Sequence, residues 1–272
     1  MMKQVVVVKW GTKYGPEYVN RMFGMVSRNI SGDFRFVCLT DDASGLRGDI
    51  VAGALPELGC AWPQRTFGQW RKAVLWGATV PRLLPGPALF VDLDSVIVDS
   101  IDPYFEFGNP DDVILARNWS KPHRRLGQTS VFRFPVGRHA HILENFRRDP
   151  QGIADRFHYE QHYVTASIPG GVKFWPRAWT RHFRLHCLPP FPLRYFMAAR
   201  LPRDARIITF PGNPNPREAL AGRWLQRQVG VPTRLGHLLD TFRPSRRIER
   251  RPWRHVTRFL LPVPWLKTYW VE

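Results

Sequence analysis

The chain has 272 residues, 44% of them hydrophobic and 13% aromatic, with 11 tryptophans; that is enough apolar material for a sizeable core and excludes a disordered polyelectrolyte. Forty basic against 22 acidic residues leave a net charge of +18, which favours phosphate-bearing partners (nucleotides, lipid head groups or nucleic acid) without choosing among them. Cys38, Cys60 and Cys187 are odd in number and lack metal-ligand spacing, no apolar run reaches the roughly 18 to 20 residues that span a bilayer, and the start lacks a secretory pattern, so a cytoplasmic protein is expected.

Residues 5–8 form a β-branched run suited to a strand buried on both faces. Gly11, Gly15 and Pro16 close it, and residues 17–28 read as a helix. A second strand is expected over 34–39, ending at Thr40-Asp41-Asp42, then a helix over 69–79 and a third strand over 88–92. Further strands fit 113–116, 130–134 and 206–210, with a helix over 138–148. Strands alternating with helices predict parallel β-α-β units, whose binding residues lie beyond the carboxyl ends of the strands. Asp41, Asp42, Asp92 and Asp94 fall there, although Asp41 and Asp42 also suit a plain turn.

The character changes near Arg217. Residues 243–258 hold seven Arg and one Glu, and an aromatic and aliphatic run follows through Trp270. Such a segment suits an anionic membrane surface; it also suits a tail that packs back through its tryptophans, and Pro262 and Pro264 interrupt any long amphipathic helix.

In Phe90-Val91-Asp92-Leu93-Asp94 the acids interrupt an apolar run, and charges in such a setting need partners. Side chains two apart on a strand share a face, so Asp92 and Asp94 are expected to present two carboxylates with Leu93 turned away. Hard cations such as Mn²⁺ or Mg²⁺ take oxygen ligands and leave positions for phosphate oxygens, which suits the pair to a metal-diphosphate complex. His182 and His186, four apart, offer a zinc pair as an alternative, but prolines crowd the region and no Glu accompanies them in a hydrolase pattern.

Gln69-Trp70-Arg71-Lys72-Ala73-Val74-Leu75-Trp76, the Asp-x-Asp strand, and Ile101-Asp102-Pro103-Tyr104-Phe105 together resemble the central block of GT-A-fold glycosyltransferases, especially family 8, which includes bacterial lipopolysaccharide sugar transferases and glycogenin. The resemblance implies an α/β fold with a single Rossmann-type nucleotide-binding domain and a mostly parallel central sheet over residues 1–216, followed by a basic, aromatic C-terminal extension over 217–272. It implies nucleotide-sugar contacts at Trp10, Gly11, Thr12 and Tyr14 after the first strand, and at Asp42, Lys72, Asp92, Leu93, Gln128 and Gly212. Asp92 and Asp94 would be metal ligands. Glu160 and Gln161 match the family's acidic-Gln segment beside the donor sugar, and Glu160 suits a nucleophile or a stabiliser of positive charge at the sugar carbon.

Thr209-Phe210-Pro211-Gly212-Asn213-Pro214-Asn215-Pro216 departs from the family pattern: Thr209 stands for a metal-binding His and Asn215 for a diphosphate-binding Lys. The expected activity is transfer from a UDP-sugar to a glycan or lipid-linked hydroxyl, as in surface glycan synthesis, by a cytoplasmic protein peripheral to the inner face of a membrane. A basic nucleic-acid-binding protein and a nucleotidyltransferase are the alternatives, although no recognisable nucleic-acid module or Gly-rich phosphate loop supports them and no specific nucleic acid is expected.

Overall fold

A computed structural model describes residues 2–64, 70–228 and 230–272. Its strands are β1 (Lys3–Lys9), β2 (Phe34–Thr40), β3 (Val51–Ala54), β4 (Pro87–Val91), β5 (Ser95–Ile97), β6 (Ile114–Arg117), β7 (Gly127–Pro135), β8 (Lys173–Phe174), β9 (Thr180–His182) and β10 (Ile207–Thr209). The α-helices are α1 (Pro16–Arg28), α2 (Asp102–Glu106), α3 (His141–Arg148), α4 (Pro150–Phe157), α5 (Glu160–Ser167), α6 (Pro216–Leu220), α7 (Arg234–Asp240), α8 (Pro252–Val256) and α9 (Leu266–Tyr269). The chain forms two compact units, Met1–Leu93 with Ser100–Arg177 and Asp94–Asp99 with Ala178–Glu272. The compositional change at Arg217 lies inside the second.

In the first unit a seven-stranded sheet runs β3-β2-β1-β4-β7-β6-β8. β3, β2, β1 and β4 are mutually parallel, β6 and β8 are parallel, and β7 alone runs against its neighbours. Val5, Val6 and Val7 are fully buried, as a β-branched run in the middle of a parallel sheet requires. α1 starts on a proline, which loses no needed N–H there, and buries Val19, Met22, Met25 and Val26 at helical spacing.

The helix expected over 69–79 is instead a 3-10 helix at Trp70–Trp76; Gln69 lies outside the described residues. The tighter winding repeats every three residues, so Trp70, Ala73 and Trp76 fall on one edge, and all three are buried. Trp70 stacks on Phe146 at 5.0 Å and Trp76 on Phe132 at 5.8 Å. Trp70 and Ala73 to Trp76 lie in the core, while Arg71 and Lys72 are only partly buried.

β7 carries a further irregularity. Leu115 pairs with Phe132, but its neighbour Ala116 pairs with Gln128, so Thr129, Ser130 and Val131 fall within a shift of register against β6. On the other side β7 stays in step with β4, where Val91 faces Val131 and the Asp92 N–H donates to the Ser130 carbonyl at 2.8 Å. Such bulges re-aim side chains.

The second unit has a three-stranded sheet, β5-β10-β9, with β10 antiparallel to β5 and parallel to β9. The apolar run after the arginines packs inward: Phe259, Leu260, Val263, Leu266 and Trp270 are all buried, and Phe259 stacks on Tyr195 at 4.3 Å. Those side chains are thus withdrawn from any membrane surface. Among the described residues no helix is long and apolar enough to cross a membrane.

Candidate functional site

Because β1, β2 and β4 are parallel, with Lys9 level with Thr40 and Val6 level with Phe90, residues 10–14, Asp41, Asp42 and Asp92 emerge at one edge of the sheet. β7 runs the other way, so its first residues, Gln128 to Ser130, reach the same edge. This is where an open α/β sheet binds ligands.

Trp10 is 43% exposed and its ring lies 6.0 Å from that of Trp62, itself 47% exposed. The pair offers two indoles outside the core. Gly11 has φ +60°, a conformation glycine adopts freely, and donates its N–H to the Asp41 carboxylate at 2.8 Å. Thr12 is exposed, while Tyr14 packs on Tyr18 at 4.8 Å with the Lys13 ammonium over its ring. Asp42 accepts the Ser44 N–H at 2.9 Å, which holds its carboxyl below the usual range, and its carbonyl takes hydrogen bonds from buried Lys9 and from Thr40. Asp41 and Asp42 thus build the turn after β2.

The Asp-x-Asp segment is not a strand end in the sense expected. β4 stops at Val91, Leu93 and Asp94 form a turn, and Leu93 is 3% exposed. Strand alternation therefore does not set the directions of Asp92 and Asp94. Asp94 is partly exposed and begins the stretch counted with the second unit.

In the first unit a polar chain runs inward from Asp92. The Lys72 ammonium lies 2.7 Å from Oδ1 and 2.8 Å from Oδ2 of Asp92, and donates to the Thr129 carbonyl at 3.0 Å. The Thr129 hydroxyl donates to Oε2 of Glu160 at 2.7 Å, and Oε1 of Glu160 is buried with no protein partner. Burial pushes the Glu160 carboxyl up to about 7; the Lys72 charge and the Thr129 hydrogen bond pull it down, and Asp92 adds to the rise. Such a group changes charge near neutral pH, as catalytic carboxyls do. Gln161 follows it on α5, its carbonyl accepting from the Thr165 hydroxyl.

Gln128 turns both ends of its amide onto Ser130, at 2.7 Å each. That amide fixes the β7 shift. Thr129, beside it, is the bridging residue that sequence reasoning missed; a threonine in an apolar strand gives no signal until the register is known. Trp62 was missed too, since exposure of a tryptophan is not readable from its neighbours.

In the second unit Gly212 has φ +79°, with open space where a Cβ would sit, so backbone conformation accounts for the glycine. Thr209 is fully buried and its hydroxyl donates to the Arg181 carbonyl at 3.3 Å. The Nδ1 atoms of His182 and His186 accept the main-chain N–H groups of Arg184 and His182, which explains the histidines without zinc.

The metal expected at Asp92 and Asp94 can be tested against the donors present. A carboxylate is a suitable oxygen donor for a hard cation, and Asp92, its oxygens beside the Lys72 ammonium, retains 22% side-chain exposure. Among the described residues no group of three or more His, Cys, Asp or Glu could hold a metal by itself. A carboxylate with this solvent access suits a cation that takes its other ligands from diphosphate oxygens and water.

No family model matches the chain, and no curated protein matches it in sequence. Among solved structures it is similar to the galactosyltransferase LgtC in complex with donor and acceptor sugar analogs, with a TM-score of 0.52 and 14% identity over 78% of this chain and 88% of that one. It is also similar to the glycosyltransferase GlyE of Streptococcus pneumoniae TIGR4, with a TM-score of 0.51 and 13% identity over 84% of this chain and 58% of that one. The fold is GT-A-like. At such identities the likeness speaks to the fold, and the chemistry of this GT-A-like chain rests on the residues of its site.

Proposed function

We propose that the chain is a glycosyltransferase that moves a sugar from a nucleotide diphosphate donor, a UDP-sugar, to a hydroxyl of a glycan or lipid-linked acceptor. The observation that carries this reading is the line Asp92–Lys72–Thr129–Glu160 at the carboxyl edge of a GT-A-like sheet. LgtC, whose fold is similar, was solved with donor and acceptor sugar analogs.

The residues divide the work by chemistry. Trp10 presents an exposed indole on which a base can stack, next to Trp62. Asp92 and Asp94 would hold Mn²⁺ or Mg²⁺, which when bound would stabilise charge on the departing diphosphate. Lys72 places a second positive charge beside Asp92, at hand for phosphate oxygens. Transfer breaks the bond from the anomeric carbon to the diphosphate and forms one to the acceptor oxygen, with positive charge developing at that carbon. Glu160, when ionised, opposes that charge, and Gln161 stands next to it on α5. Gly212 lets the loop before α6 pass in a left-handed conformation.

Incubation with a panel of UDP-, GDP- and CMP-sugars and Mn²⁺, with released nucleotide as the readout, tests this. Turnover of a UDP-sugar is expected, falling by roughly 10²-fold or more in Glu160→Gln. Release no faster than in that variant, for every donor, would rule the proposal out.

A further inference from the structure

The aromatic run at the end of the chain is buried, yet the second unit still shows a strongly apolar surface, and it lies elsewhere. On α7 the polar residue His237 is 2% exposed, whereas Leu235, Leu238 and Leu239 are 68, 42 and 47% exposed, and Phe242 in the turn that continues the helix is 81% exposed. Spacing of i, i+3, i+4 and i+7 puts these four on one stripe, opposite His237. The helix is inverted: its polar side is fastened inward and its leucines face out.

That orientation is fixed by direct bonds. His237 Nε2 donates to the His255 carbonyl and His255 Nε2 to the His237 carbonyl, each at 2.9 Å, and the two rings stack at 4.1 Å. His255 Nδ1 accepts the Ile248 N–H. α7 and α8 are thereby clamped together, and the stripe cannot roll under without breaking the clamp. Beside it the Arg234 guanidinium lies over the ring of Phe196, itself 68% exposed. Phe196 continues the apolar surface into a cavity of about 550 Å³ lined also by Met197, Leu201, Pro264 and Trp265.

The surrounding charge is almost all of one sign. Residues 231–258 contain eight arginines and two acids, Asp240 and Glu249, and Glu249 is paired with Arg258. Arg234, Arg243, Arg246, Arg250, Arg251 and Arg254 are exposed. An outward apolar stripe in a segment rich in exposed arginine matches the two attractions that hold a helix in a lipid interface: burial of apolar side chains among acyl chains and attraction to anionic head groups.

We infer that α7 and its following turn form a docking surface for an anionic lipid bilayer, with Leu235, Leu238, Leu239 and Phe242 entering the interface. This goes beyond the transferase reading and does not depend on it. Co-sedimentation with phosphatidylcholine vesicles, with and without roughly a third of phosphatidylglycerol, is the test. Binding to the anionic vesicles is expected to exceed binding to neutral ones by about tenfold or more, and the triple variant Leu235→Ser, Leu239→Ser, Phe242→Ser to lower it by at least about tenfold. Arg250→Gln with Arg251→Gln should weaken it by roughly tenfold or more, since each basic residue is worth on the order of fivefold at an anionic surface. If the triple variant melts early, Phe242→Ser alone decides, its side chain being almost wholly in solvent. Undiminished vesicle binding by the apolar variants, equal binding to neutral vesicles, or concentration-dependent dimerisation without vesicle binding would overturn the inference. The last result would assign the stripe to a second copy of the chain.

Discussion

Glu160 is 3% exposed, with one carboxylate oxygen on the Thr129 hydroxyl and the other without a protein partner. Its carboxyl titrates at about 7 against an ordinary 4.5, chiefly through burial. The sign follows from proton linkage: the folded state holds this proton more tightly than the unfolded state. Its contribution to stability is complete below about 4.5 and is lost as pH rises through about 7. A shift of that size corresponds to on the order of 3 kcal/mol. Urea unfolding across this range should show stability falling with pH, and Glu160→Gln should flatten the slope; an unchanged slope would place the proton elsewhere. Lys72→Met tests the coupling. It removes the positive charge that pulls Glu160 down and leaves Asp92 without its ammonium. The window should move to higher pH, with stability reduced by roughly 1–2 kcal/mol, because the pair is only partly shielded from water.

At the scale of elements, the site depends on the β7 register shift and on the buried 3-10 segment that carries Lys72. Trp76 anchors that segment, being 1% exposed and packed on Phe132 and Phe134. Trp76→Ala should cost about 3–5 kcal/mol, read from urea midpoints at constant m-value; a loss under about 1 kcal/mol would show that the segment repacks around the cavity. The strands β1, β2 and β4 were legible because apolar runs, β-branched in β1 and carrying phenylalanine in β2 and β4, bounded by Gly, Pro and Asp read as buried strands. β3 was not, since Val51-Ala52-Gly53-Ala54 is short, small and mostly exposed at the sheet edge. The 3-10 segment reads as a helix in sequence because composition marks helical preference but does not distinguish a three-residue from a 3.6-residue period over seven residues. Asp92 could be picked out in sequence as an acid interrupting an apolar run, and Lys72 and Glu160 through the family resemblance. Thr129, which joins them, required the register of β7.

At the scale of the whole molecule, the net charge of +18 announced phosphate-bearing partners but not their kind. Under the two proposals a nucleotide sugar would meet the carboxyl edge of the large sheet, and an anionic bilayer the outward stripe of α7. The C-terminal run from Phe259 to Trp270 was ambiguous in sequence because the same aromatics suit a membrane or a core; packing against residues such as Tyr195, far away in the chain, decides for the core.

The most direct test of the proposed site is thermal unfolding with UDP, GDP and CDP, each with and without Mn²⁺, on the wild type, Asp92→Ala and Asp94→Ala. A ligand that binds only the folded state at 100 times its Kd adds about 2.7 kcal/mol, enough to raise Tm by several degrees. A rise with UDP that requires Mn²⁺ and disappears in both variants is the expected result. A rise that both variants retain, or no metal-dependent rise with any nucleotide, would contradict it.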